Sequence, residues 1–259
     1  MKRIILSVLL ALPLVMATNP ASSRTPAVRV VIDPGHGGQN MGALGAYGVY
    51  EKYVTLSIAL RLGRLLETEP GITVFYTRKD DVFVGLSERA ELANALDADL
   101  FVSIHCNASE HRDPNGIETF FLGMGGDDPE ADEVARRENL ETSLNASARD
   151  EDLVGILEDL RKNGDQTEAA TLAEVVQRRL TRAVPEAADR DVRQARFTVL
   201  EKARMPAVVV ELGFITHPKE GLDLLLAPYQ ERLAMALRDA ISHHAVARFA
   251  APQRSAMRY

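Results

Sequence analysis

The apolar positions along the chain follow two spacings, which predict strands and helices in alternation. Three runs are almost continuously apolar and rich in β-branched residues, as in strands that are covered on both faces. Two further runs predict a second strand after the first helix and an alternating edge strand later in the chain. The buried runs are AVRVVID at 27–33, ADLFVSIH at 98–105 and PAVVVELGF at 206–214, and the others are GITVFYTR at 71–78 and GIETFFLG at 116–123.

Apolar residues recur at helical spacing between these strands. The first helix is predicted from Lys52 to the sequence EPG at 69–71, where proline and glycine end it. Strands that alternate with helices predict an α/β fold in a single domain, with a central, mostly parallel or mixed sheet and helices on both faces. The other predicted helices cover 86–96, 171–184, 218–225 and 229–246.

A charged segment interrupts this alternation. Residues 127–165 are dense in Asp, Glu and Arg and contain few large apolar residues. Two stretches of helical spacing lie within it, at 130–143 and 150–164. We therefore expect a helical, acidic insertion on the surface at about 124–165.

The first residues are basic and then apolar, which is the pattern of a secretory signal peptide. Lys2 and Arg3 precede an apolar run that is too short to span a bilayer comfortably, and cleavage is expected after Ala17. An uncleaved anchor is the alternative. We expect an exported protein, periplasmic or associated with the cell wall. Its predicted parts are a signal peptide at 1–17, a linker at 18–27, the main domain at 28–248 and a tail at 249–259.

Composition narrows the function classes. The 259 residues are 46% hydrophobic and 26% charged, which fits a soluble domain with a full core. The formal net charge of -7 argues against a nucleic-acid partner, because such proteins usually carry a basic excess. Cys106 is the only cysteine, so an internal disulfide is excluded. It lies in an apolar strand, where a small buried residue is favoured over a nucleophile.

Four polar residues stand at the ends of apolar elements. His36 follows the first strand, Glu51 begins the first helix, and His105 and Glu211 end two other buried runs. Ligands in α/β proteins collect at the carboxyl ends of the strands, so these side chains can converge. Two histidines and one carboxylate are a common ligand set for catalytic zinc, and a second carboxylate can transfer protons. Spacing alone leaves the metal site undecided, because the i, i+4 zinc signature is absent.

Four sequence stretches together favour a catalytic zinc site. VVIDPGHGG, the pair EK fifteen residues after the histidine, FVSIHCNA and VVVELGFITHPKE occur in this order. The chain thereby resembles the zinc-dependent N-acetylmuramoyl-L-alanine amidases of the cell-division and sporulation type (the amidase 3 family), over about residues 28–248.

The resemblance implies a metal-dependent hydrolase of peptidoglycan. His36, Glu51 and His105 would bind one Zn²⁺ ion, and Glu211 would be the general base. Water activated by zinc would cleave the amide between the lactyl group of N-acetylmuramic acid and the L-alanine of the stem peptide. Such a reaction serves cell separation or wall remodelling and suits an exported enzyme.

Several of these residues have simpler interpretations. Asp33 either supports His36 by a contact outside the metal ligands or is a turn residue before proline. Asn107 either turns the chain or binds substrate. Glu51 also suits the positive N-terminus of a helix, and His105 also suits a core histidine. Glu211 follows four apolar residues, and an unpaired buried acid is costly, which favours a functional role.

The acidic insertion resembles the part of cell-division amidases in which a helix covers the active site. Glu138 in the sequence REN would then occupy a zinc position in a resting state, with Glu141 as the reserve candidate. A solvated, charged helix is the alternative. The resemblance further implies an activator linked to the divisome that displaces this helix.

Two other functions stay open on the sequence. One is a catalytically silent module that binds peptidoglycan or regulates its turnover. The other is an exported zinc amidase or peptidase that acts on a different substrate.

Overall fold

Six strands form one sheet in the computed structural model, which describes residues 27–123, 128–140 and 156–250. In chain order the strands are β1 (Val28–Pro34), β2 (Ile72–Tyr76), β3 (Leu100–Asn107), β4 (Ile117–Leu122), β5 (Asp189–Ala195) and β6 (Ala207–Phe214). Their order across the sheet is β2-β1-β3-β6-β4-β5.

The sheet is mixed, with a single antiparallel pair among the described strands. β2, β1, β3 and β6 run parallel, and so do β4 and β5, whereas β4 is antiparallel to β6. The carboxyl ends of β1, β3 and β6 therefore lie side by side at one edge of the sheet, where the candidate metal ligands and Glu211 are predicted to converge.

Helices cover both faces of the sheet, as predicted. They are α1 (Glu51–Leu66), α2 (Leu86–Ala95), α3 (Pro129–Asn139), α4 (Ile156–Ala183), α5 (Thr198–Lys202), α6 (Pro218–Asp223) and α7 (Ala227–Ala250). On one face α1, α4 and α7 share a hydrophobic core with Val30 and Ile32 of β1. On the other face α2, α3 and α5 share a second core with Val31, because successive strand residues point to opposite sides.

The architecture differs from the sequence prediction at β4, β5 and α4. β4 is not an edge strand, because β5 pairs with it and takes the edge. β5, with the sequence DRDVRQA, was not predicted, because its polar residues form no apolar run. Such a composition suits a largely exposed edge strand. The helical stretches predicted at 150–164 and 171–184 belong to one helix, because α4 runs unbroken from Ile156 to Ala183 across the expected end of the insertion.

The first stretch of the insertion also differs from the surface helix that was predicted. α3 buries Ala131, Val134 and Ala135 in the core between the sheet and α5. Residues 150–155 of the second stretch lie outside the described residues, as do Glu141 and the predicted signal peptide. In the described ranges, no helix combines the length and the apolar character needed to cross a membrane.

Candidate metal centre

A glycine-rich turn after β1 holds His36 close to His105. A Cβ atom on Gly35 would lie 2.3 Å from Cε1 of His105, so only glycine lets the turn pass this ring. His36 itself has a φ of 60°, a conformation that is uncommon outside glycine and is often found at functional positions. Asn40 Oδ1 lies 3.0 Å from Nδ1 of His36. The other ring nitrogen, Nε2, is thereby left for the centre of the site.

Glu51, the first residue of α1, lies between the two imidazoles. Its Oε2 is 3.0 Å from Nε2 of His36 and its Oε1 is 3.3 Å from Nδ1 of His105. The backbone N–H groups of Ala43 and Cys106 donate to the same carboxylate. Burial by itself raises the pKa of Glu51, but the two histidines outweigh it, so this pKa lies well below its usual range.

Glu138 reaches the same point from α3. Its Oε2 lies 3.3 Å from Nε2 of His36 and 3.2 Å from Nδ1 of His105. One ligand atom from each of His36, Glu51, His105 and Glu138 lies within 4.8 Å of the others, and all four residues are buried. Four elements that are distant in sequence therefore deliver four potential ligands to one point.

The chemistry of this cluster fits a divalent metal ion. Nε2 of His36, Nδ1 of His105 and Oε2 of Glu138 have no aligned hydrogen-bond partner among the described residues, although all are buried. Two carboxylates buried at one point are costly, and one metal ion would offset their charge and satisfy every one of these atoms. The cluster can bind a metal, and its nitrogen and oxygen ligands suit zinc and several other divalent ions.

Glu211 lies beside the cluster without belonging to it. It is in register with His105 on the neighbouring strand and is fully buried. Neither of its carboxylate oxygens has a hydrogen-bond partner in the described structure. Burial, together with the charges of Glu138 and Glu51, raises its pKa well above the usual range. A carboxyl group kept without a structural partner at this place is positioned to exchange a proton.

A cavity opens beside the ligand cluster. Its volume is about 560 Å³, and it lies between the glycine-rich turn and the end of α3. His36, Glu51 and Glu138 form one wall, and Phe83 and Leu140 contribute apolar surface. A ligand in this cavity would reach the cluster directly.

Comparison with known proteins places the chain in a family. A family model described as N-acetylmuramoyl-L-alanine amidase matches residues 30–243, a range that contains the whole cluster and Glu211. The chain belongs to the N-acetylmuramoyl-L-alanine amidase family. The amidase AmiC of Escherichia coli O6:H1 is 35% identical over 228 residues, which are 82% of this chain and 52% of AmiC. The chain thus spans about half the length of that relative.

Solved structures of amidases share the fold. The amidase of Clostridium difficile 630 aligns with a TM-score of 0.66 at 29% identity, over 85% of this chain and 97% of that one. The CwlD amidase of Clostridioides difficile, solved in complex with the GerS lipoprotein, aligns with a TM-score of 0.65 at 25% identity, over 85% and 99%. The predicted family and the predicted α/β fold are confirmed.

Asp33 supports the candidate metal centre through the backbone and not through the His36 ring. Its carboxylate accepts hydrogen bonds from Thr77, Ser103 and Arg89 at 2.5 to 2.7 Å. Arg89 also donates to the backbone carbonyl of His36 at 2.7 Å. Asp33 and Arg89 are each 1% exposed, so they form a buried ion pair under the glycine-rich turn.

Asn107 holds α3 in place. Its Oδ1 accepts a hydrogen bond from Arg137 at 2.7 Å, and its Nδ2 donates to Glu118. Arg137 also donates to the carbonyl of Ala108 and lies 3.2 Å from Oε1 of Glu138. The side chain of Asn107 therefore links the end of β3 to the helix that carries Glu138.

Three residues around the candidate metal centre were not predicted from the sequence. Asn40 is four residues after His36, a spacing that suggests a local hydrogen bond. Arg137 directly precedes Glu138, and a cation beside a predicted ligand is a signal for an anchoring group. Glu118 had no signal, because a single acid in an alternating strand usually faces solvent, whereas Glu118 is fully buried.

Replacing Asp33 with asparagine should destabilise the protein. Breaking a buried ion pair on one side leaves Arg89 unpaired, which costs about 3 kcal/mol or more in the free energy of unfolding. Burial alone raises the pKa of Asp33, but Arg89 and the two hydroxyl donors outweigh it, so the folded pKa lies below 3.8. A lowered folded pKa means that the stabilisation is complete above about pH 4 and is lost as the pH falls through the folded value.

Urea unfolding of the parent and of Asp33→Asn at pH 7 and at pH 3 tests this. The difference in unfolding free energy should be large at pH 7 and smaller at pH 3. Asp223→Asn is the control, since Asp223 forms only a surface pair with Lys219. Equal stability of the parent and Asp33→Asn at pH 7 would contradict the role given to the ion pair.

Proposed function

We propose that the chain hydrolyses the amide between the lactyl group of N-acetylmuramic acid and the L-alanine of the peptidoglycan stem peptide. The convergence of His36, Glu51 and His105 beside an unpartnered Glu211, in a member of this amidase family, carries the proposal. AmiC, the relative at 35% identity, is named for the same activity. The physiological role that we propose is cell separation or remodelling of the wall.

His36, Glu51 and His105 would hold one zinc ion. When bound, zinc lowers the pKa of water and polarises a carbonyl group, which is the chemistry that amide hydrolysis needs. Glu211 accepts the proton from the attacking water and then donates it to the departing amine nitrogen of L-alanine. Its two oxygens are available for this because the described residues offer them no hydrogen bond.

Digestion of purified sacculi tests the reaction. We expect new amino termini on L-alanine while the glycan strands stay intact, with loss of activity on chelation and recovery on addition of Zn²⁺. A silent binding module would release no new termini. An exported hydrolase with another substrate would leave sacculi intact and cleave other amides or peptides. Either of these results would reject the proposal.

The second part of the proposal is that α3 inhibits the enzyme at rest. Glu138 is 8% exposed and lies within 3.3 Å of both histidines, which opposes a solvated, charged helix as the explanation for this residue. A glutamate bound to the metal would occupy the position that the substrate carbonyl needs. Arg137 reinforces the contact, because it ties the same turn of α3 to the end of β3.

Glu138→Ala should increase the rate of sacculus hydrolysis. Removing a ligand that competes with substrate shifts the population toward the open site, and each 1.4 kcal/mol lost from the contact is worth about tenfold in rate. The measurement is release of soluble fragments by equal amounts of the two proteins. Glu133→Ala is the matched control, since Glu133 lies on the exposed side of the same helix and pairs with Arg136. Full activity of the parent without a partner, and no gain in Glu138→Ala, would contradict inhibition.

An activator protein must then displace α3. We propose that this activator is linked to the divisome and that the enzyme is exported. The solved complex of CwlD with the GerS lipoprotein supports partner binding within the family. The basic and apolar start of the chain supports export. Pull-down of division proteins with the parent chain, compared with a chain lacking 128–140, tests whether α3 is the element that the partner contacts.

A further inference from the structure

Two arginines of β5, Arg190 and Arg193, lie against the acids at the start of α3. Arg193 forms a bidentate contact with Asp128, in which Nε donates to one carboxylate oxygen and Nη2 to the other, each at 2.7 Å. Arg190 pairs with Glu130, and its guanidinium group stacks 5.1 Å from the ring centre of Phe214. We call Arg190 and Arg193 the arginine pair. Their side chains are only 19% and 15% exposed, so both are held in place.

The arginine pair lies next to the proposed catalytic centre. Glu118 contacts both arginines, because its Oε2 is 3.0 Å from Nη1 of Arg193 and 3.3 Å from Nε of Arg190. Glu118 is the register partner of Glu211 across β4 and β6. The pair therefore lies on the second strand beyond β6, which carries Glu211, with β4 between them and on the side away from β1.

The charge balance around the arginine pair depends on α3. With α3 packed on the sheet, the carboxylates of Glu118, Asp128 and Glu130 face the two guanidinium groups. When α3 leaves, Asp128 and Glu130 leave with it, and Glu118 alone stays. The pair then has one positive charge in excess and an open fork on Arg193, a geometry that matches a carboxylate.

We propose that the arginine pair binds a free carboxylate of the stem peptide, and that Asp128 and Glu130 take its place while α3 is packed. This inference rests on the proposed amidase function, which makes the stem peptide the substrate. The ligand cluster lies between the 560 Å³ cavity on the β1 side and the arginine pair on the β5 side. A linear substrate would cross the cluster with its peptide portion over β4 and β5.

Peptide binding tests the site without any turnover. The probes are a stem tripeptide that begins with free L-alanine and carries free carboxylates, and the same tripeptide with its carboxylates amidated. Neither contains the muramoyl amide, so neither is a substrate. Calorimetric titration compares the parent, Asp128→Asn/Glu130→Gln, and that variant with Arg193→Gln added. Asparagine keeps the helix cap that Asp128 supplies to Ala131.

The free-acid tripeptide should bind Asp128→Asn/Glu130→Gln at least about tenfold more tightly than the parent, because loss of the two carboxylates weakens the contact of α3 with the arginine pair and lets the peptide carboxylate form a charge-assisted, bidentate contact instead. The amidated tripeptide should show no such gain, and Arg193→Gln should remove it. Arg196→Gln is the matched control, since Arg196 is an exposed arginine directly after β5 that pairs with Glu201. Arg193→Lys keeps the charge without the fork and should retain part of the gain, which guards against a folding defect in Arg193→Gln.

Two outcomes would overturn the inference: equal binding of both tripeptides by every variant, or a gain that persists in Arg193→Gln. Failure of the amidase function is measured separately. Sacculi that are cleaved while the tripeptides are not distinguished reject the carboxylate site alone. Selective binding of the free-acid tripeptide without cleavage of sacculi retains the carboxylate site and rejects the reaction.

Discussion

Glu211→Gln is expected to stop hydrolysis of peptidoglycan while the protein still binds its metal. Glutamine keeps the shape of the side chain but cannot accept and return a proton. General acid–base catalysis by a positioned side chain is worth about 100-fold to 10,000-fold in rate, and the loss should fall in this range or exceed it. The ligand atoms of His36, Glu51 and His105 are untouched by the change.

Metal content and thermal melting separate a lost proton carrier from a lost fold. Glu211→Gln should hold the same amount of zinc per chain as the parent. Its melting temperature should equal or exceed that of the parent, because a buried carboxyl group without a hydrogen-bond partner destabilises the folded state. Turnover that survives in a folded, zinc-loaded Glu211→Gln would show that another group transfers the proton.

The second large effect is expected at the metal ligands. His105→Ala removes one of the two imidazoles, and loss of a ligand should weaken zinc binding by more than the 10-fold to 100-fold that is typical for outer contacts of a metal site, so by more than about 100-fold. Hydrolysis should be lost with the metal. The parent should melt at a higher temperature as Zn²⁺ is added, since a ligand of the folded state stabilises it by mass action.

Zinc titration followed by calorimetry measures both the affinity and the shift in melting temperature. His243→Ala is the control, because His243 is exposed on α7, away from the cluster. The control should bind zinc as the parent does. If chelation left the parent active, or if His105→Ala kept its zinc, the assignment of the metal ligands would be wrong.

The central strands could be predicted because their burial leaves a strong pattern. β1, β3 and β6 are covered on both faces, so they read as continuous apolar runs, and polar residues stand out near their ends. β5 could not be found in this way, because a charged edge strand resembles a loop in sequence. β4 was misplaced as a consequence, since the strand that covers it was not seen.

The membership of the ligand cluster was predictable only in part from residue types. His36, Glu51 and His105 come from three elements, and spacing along the chain does not report their distances in space. The resemblance to the amidase family selected them, and the structure places their atoms together. Glu118 and the arginine pair were beyond reach, because their significance lies in contacts across strands whose pairing the sequence did not reveal.

The four ligand residues of the cluster belong to parts of the protein that differ in local stability. The turn that carries His36 is tied to the core by the fully buried pair of Asp33 and Arg89. α3 instead buries only small or medium apolar side chains, and its other contacts are hydrogen bonds of Arg137 and Asn139 near its end and partly exposed ion pairs at its start, which salt screens. We therefore expect α3 to open at a lower free energy than the sheet, as a separate unfolding unit. Local unfolding of α3 is then expected to remove Glu138 from the cluster while His36, Glu51 and His105 stay in place.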